Sequence, residues 1–209
     1  AEITDDDLAH IGLCQGLFAL TLGAQHPLKV TDKGLDALLS PTVSRTLRQL
    51  TLGTMPGITH DGYLTINRAT KLLLLSLRDV KPPSDGKFFA ELRLPKLTDL
   101  MIWESDFPGG WLAALADHSP DIAHLVLQGV RVTPADVTVL TRFDLENLVL
   151  ENAGLSDAEL DVIGSVRKLR ILNLRENPAI TDAGVRSLGE CKELQTLWLS
   201  SASLTDTAC

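Results

Sequence analysis

The chain has 209 residues, 44% hydrophobic and 22% charged but only 4% aromatic, with a formal net charge of −8. That composition allows a buried core in one or two domains, while the acidic balance argues against nucleic acid or an acidic membrane surface as partner. No apolar run approaches the roughly 18 residues of a membrane span, so no membrane insertion is expected, and cysteines at 14, 191 and 209 form neither CxxC nor an even framework, which favours a reduced, intracellular and cytoplasmic setting.

Two motifs alternate along the chain. The first, L-x-x-L-x-L, begins at 17 (LFALTL), 47 (LRQLTL), 72 (LLLLSL), 97 (LTDLMI), 122 (IAHLVL), 145 (LENLVL), 169 (LRILNL) and 194 (LQTLWL). Its period of 23 to 30 residues is that of a repeat protein. The second opens the chain as ITDDDLAHI at 3 and returns as VTDKGLDAL (30), ITHDGYLTI (58), VTPADVTVL (132), LSDAELDVI (155), ITDAGVRSL (180) and LTDTAC (204). It reads as a helix start. Thr or Ser caps the first turn, and the Asp beside it is expected to face the positive end of that helix. Ser156 with Glu159 has capping-box spacing, and Pro134 follows Thr133 at the first helical position.

Two stretches break the pattern. RDVKPPSDGKFFAELRLPKL reads as an irregular coil with Phe88 and Phe89 packed inward, or else as a partner-contacting loop. DFPGGWLAAL places Trp111 toward the convex surface by alignment with Asp136, the alternative being that it covers a nearby Pro or Phe. Each unit is thus a short strand, a turn and a short helix returning to the next strand. Only stacking buries the leucines. The fold class is therefore an α/β solenoid of about eight repeats, with a curved parallel sheet on the concave side and short helices on the convex side. Residues 1–209 form one such domain, and the cap motif at each end predicts a segment of a longer chain.

ITDAGVRSLGECKELQTLWLS resembles the leucine-rich repeat family, in its cysteine-containing subtype found in F-box proteins and ribonuclease-inhibitor-like relatives. LAHIGLCQGLFALTL repeats the arrangement with Cys14, and the likeness covers essentially the whole chain. Of the places three residues after each strand motif, only Asn177 carries the Asn or Cys of that subtype. The resemblance implies binding of another protein rather than catalysis. Its specific alternatives are the substrate-receptor part of an F-box-type ubiquitin ligase and a structural subunit of a large assembly.

Catalytic chemistry has no support in the sequence, and an enzyme is not expected. Cys14 and Cys191 share a repeat position that elsewhere holds Ala69, Leu94, Ser119 and Val166, and also Ser44 and Arg142, so the slot is not sealed in every unit. Mostly apolar or small, it reads as interior packing, as does the place of Cys209. The five histidines lack zinc spacing, and His60 reads as a turn residue in place of the cap Asp. KPPSDGK lacks the P-loop spacing, and no G-x-S-x-G occurs. Neither cofactor nor metal is expected.

A surface remains. Alternation along each strand sends the fourth and sixth places inward and the third, fifth and seventh outward. The first two units put small residues there. From the third onward the outward rows gain Arg78, Met101, Trp103, His124, Gln128, Glu151, Asn173, Arg175 and Trp198, of which the two tryptophans, the methionine and the two arginines are types enriched at protein interfaces. These nine are the candidate partner-binding residues.

Overall fold

A computed structural model of the chain describes residues 3–23, 27–80 and 87–200. The expectations placed on Gln25, His26, the KPPSDG stretch, Ala202, the LTDTAC motif and Cys209 lie outside the described residues.

The leucine motifs form eight strands: β1 (Ala19–Leu22), β2 (Gln49–Leu52), β3 (Leu74–Arg78), β4 (Asp99–Trp103), β5 (His124–Gln128), β6 (Asn147–Val149), β7 (Ile171–Asn173) and β8 (Thr196–Trp198). They pair in parallel and in chain order. The fourth-place leucines lie side by side in one unbroken row from Leu20 through Leu50, Leu75, Leu100, Leu125, Leu148 and Leu172 to Leu197. The six between the ends are fully buried. At about 1.5–3 kcal/mol per buried leucine, this row and its first- and sixth-place neighbours dominate the stability.

Short helices return each strand to the next: α1 (Asp5–Ile11), α2 (Asp32–Leu38), α3 (Pro41–Ser44), α4 (His60–Leu64), α5 (Lys87–Glu91), α6 (Trp111–His118), α7 (Pro134–Val139), α8 (Asp157–Gly164) and α9 (Asp182–Ser187). Packed helices need about 8–10 Å between axes and paired strands only about 4.8 Å, so the stack curves with the sheet inside.

The caps form as expected at Thr4, Thr59, Thr133 and Thr181, whose hydroxyls accept first-turn amides. Glu159 reaches back to the Ser156 amide at 2.9 Å, completing the capping box. Three of the aspartates next to the cap Thr or Ser, however, reach into the following unit, while Asp7 and Asp136 complete capping boxes at their own helix starts. Asp5 accepts the amide and hydroxyl of Thr31 at 2.8 and 2.6 Å, Asp32 those of Thr59 at 2.7 and 2.6 Å, and Asp157 those of Thr181 at 2.7 and 2.6 Å. Each carboxylate staples its unit to the helix start of the next. Gly34, Gly62 and Gly184 make room for it, since a Cβ there would stand 2.3, 2.0 and 2.4 Å from the carboxylate.

Two more expectations change. Trp111 is buried rather than on the convex surface, and it covers phenylalanines, as the alternative had it: its ring lies 4.4 Å from Phe89 and 5.1 Å from Phe107. Phe88 and Phe89 do pack inward. Cys191 is buried against the Ile163 and Gly164 carbonyls of the preceding unit, and burial raises its thiol pKa. Cys14 holds the equivalent place but is exposed. It belongs to the first unit, and no described backbone of an earlier unit lies against it. No helix of the described residues is long and apolar enough to cross a membrane.

Candidate protein-interaction face

Because the strands pair without offset, residues at one motif place line up across the sheet. The third-place row brings Asp99 beside His124, whose Nδ1 lies 2.6 Å from the Asp99 carboxylate. In the fifth-place row Met101 is half-exposed between Ser76 and Val126. The seventh-place row carries Arg78, Trp103, Gln128, Glu151 and Arg175 on successive units.

Two arginine–tryptophan pairs bracket this face. The Arg78 guanidinium lies 6.0 Å from the Trp103 ring centre, and Arg175 lies 5.9 Å from that of Trp198. Such contacts hold a long cationic side chain flat against an aromatic surface. The arginines are four units apart, about 19 Å at the strand spacing. Trp103 Nε1 donates to Ser76 Oγ at 3.3 Å, and Arg78 Nε lies 3.6 Å from Glu104. Between the pairs runs an amide–carboxylate chain. Gln128 Nε2 and Asn173 Nδ2 both donate to Glu151, at 3.0 and 2.8 Å, and Asn173 accepts the Arg175 amide at 3.0 Å.

The nine candidate residues all stand on this face but are not equally open. Arg78, Arg175 and Trp198 are exposed, and Met101, Trp103, His124, Gln128 and Glu151 are half-buried. Asn173 is only 8% exposed and orients its neighbours. The bland first units take an active part in shaping the face: Gly23, Gly53, Thr51 and Thr54 floor a cavity of about 480 Å³ walled by Arg78 and Trp103. Small side chains are what leave that space.

Residues just beyond the strand were missed by the sequence reading. Asp79, Glu104, Asn152 and Glu176 occupy the eighth place, each with φ between 50° and 59°, alongside Gly129 at 65°. Left-handed backbone is unusual for side chains larger than glycine. It lets each amide donate to the next unit: Asp79 N to Trp103 O, Glu104 N to Gln128 O and Asn152 N to Arg175 O. The recurrence of acidic residues or asparagine one place after the outward row was the available signal. Deeper in, Asn177 is buried, accepting the Ala153 and Leu155 amides, and Ser105 accepts the Val80 amide in the same way three units earlier along the stack. Among the described residues no group of three His, Cys, Asp or Glu could hold a metal ion.

No known family profile matches this sequence, and no curated protein matches it. Solved structures do. A chain of the crystal structure of the Rad7 and Elc1 complex in yeast superposes on 99% of this chain with a TM-score of 0.69 at 19% identity. This chain spans 55% of that one, about half its length. Internalin C2 of Listeria monocytogenes matches 95% of this chain and 84% of its own, with a TM-score of 0.58 at 18% identity. The fold is a leucine-rich repeat solenoid. At these identities the likeness establishes the fold alone.

Proposed function

We propose that this chain is a non-catalytic scaffold that binds another protein on the concave sheet face. The observation that carries this reading is the pair of tryptophans, Trp103 and Trp198, held on an open sheet with an arginine against each ring. Tryptophan and arginine are among the side chains whose truncation costs most at protein interfaces. Both neighbouring structures have the same architecture, and the yeast one is of a complex between two proteins. That supports, as a second reading, a subunit of a stoichiometric assembly. The substrate-receptor role in a ubiquitin ligase is the narrower form of the first.

The test starts from a partner isolated by affinity purification from the native source. Trp103→Ala combined with Trp198→Ala should weaken its binding at least tenfold by calorimetry, with little change in melting temperature, because neither ring is part of the buried core. Unchanged affinity would move the interface off this face.

A further inference from the structure

Glu151 narrows the chemistry of the partner. It stands at the middle of the face, with Gln128 Nε2 donating to one carboxylate oxygen at 3.0 Å and Asn173 Nδ2 to the other at 2.8 Å. Both donors are neutral amides. Asn173 is itself fixed, 8% exposed and accepting the Arg175 amide. The carboxylate is therefore aimed without being neutralised. Among the described residues no lysine, arginine or histidine lies within ion-pair distance of it. Arg175, next in the row, turns its guanidinium to Trp198 instead.

Two nearby acids each have a basic residue beside them: the Asp99 carboxylate lies 2.6 Å from His124 Nδ1, and Glu104, at the rim, lies 3.6 Å from Arg78 Nε. An oriented, half-buried carboxylate with two amide bonds keeps further lone pairs open, and the donor that best fits them is a guanidinium or ammonium. The wider field agrees. Along this rim Asp79, Glu104, Glu151 and Glu176 outnumber Arg78 and Arg175, a net of −2 from four acids and two bases, on a chain of net charge −8.

We infer that the partner docks through a basic segment that sets an arginine or lysine side chain on Glu151. This rests on the scaffold reading above and specifies it. Gln128 and Asn173 act as positioning residues that hold the acceptor toward the incoming cation, and Trp103 and Trp198 supply the apolar contact on either side.

The probe is a display library of random twelve-residue peptides, selected on the whole chain and on its Glu151→Gln variant. Peptides selected on the wild type should share one recurring arginine or lysine. Their affinity should fall at least tenfold on Glu151→Gln, whose melting temperature stays at the wild-type value. Replacing that basic residue by glutamine in the peptide should cost the wild type the same factor and the variant little, a partner-side result independent of any change in the protein. Peptides that need Trp103 and Trp198 but carry no recurring basic residue, or carry acidic ones, overturn this inference and leave the scaffold face standing. Peptides indifferent to both tryptophans overturn the two together.

Discussion

The outer described units and the middle ones are held to their neighbours in different ways. From Asp5 to Thr59, and again from Asp157 to Thr181, a carboxylate crosses to the amide and hydroxyl that start the next helix. In the middle this staple is replaced. His60 stands where the Asp would be and meets Glu91 at 3.2 Å, and behind it Tyr63, Phe88, Phe89, Phe107 and Trp111 form a chain of ring contacts from 4.4 to 6.1 Å. Asp136 works in reverse, accepting the Gly110 and Leu112 amides of the unit before it. The polar joint requires fixed residue types at fixed spacing. The aromatic joint requires volume rather than one fixed residue pair.

The comparison breaks most visibly at Phe89, which touches Phe88, Phe107 and Trp111 at once. Phe89→Ala should cost about 3–5 kcal/mol by urea unfolding, the range for truncating a buried aromatic. A loss under about 1 kcal/mol would mean that the middle units are held by the leucine rows alone.

A smaller effect, opposite in sign to helix propensity, is expected at Gly184. Alanine normally improves a helix by up to about 1 kcal/mol over glycine. Here the added Cβ meets the Asp157 carboxylate at 2.4 Å, so Gly184→Ala should destabilise by about 1–3 kcal/mol. At Gly189, where nothing lies within 4 Å of a Cβ, the same change should be neutral or mildly stabilising. In an Asp157→Ala background the Gly184 penalty should largely vanish. Additive losses in that double-mutant cycle would remove the staple as the reason for the glycine.

These joints also explain which features the sequence made legible. The leucine period is set by strand pairing, which repeats without offset, so every strand and its outward rows could be read from spacing. The Thr-Asp motif was equally visible, but its aspartates were assigned to their own helices, because one unit read alone contains only one helix start. Cys14 and Trp111 were misplaced for related reasons. Alignment gave each the environment of an average unit, whereas Cys14 sits in the first unit and Trp111 where the repeat is irregular. On the candidate face, side-chain identity and direction followed from alternation. The links among Gln128, Glu151 and Asn173 did not, because they depend on which neighbour each flexible side chain chooses.

The smallest effect separates the joints by pH. At Asp157 hydrogen bonds from the Thr181 hydroxyl and amide hold the carboxyl below its ordinary value of 3.8. At Asp5 burial pulls upward, but the hydroxyl and amide of Thr31 and the amide of Gly34 outweigh it, and this carboxyl too is depressed. The folded chain then binds fewer protons than the unfolded one at these sites, so their contribution is complete above 3.8 and is lost as pH falls below it through the folded values. Both groups are solvent-accessible, which keeps the effect modest. Urea midpoints measured from neutral pH downward should hold level and then drop in that acid range. Asp157→Asn should flatten part of the drop, while Phe89→Ala, which touches no carboxylate joint, should lower the whole curve and keep its slope. A wild-type slope retained in Asp157→Asn would mean that the Thr181 bonds favour the charged and neutral carboxyl equally.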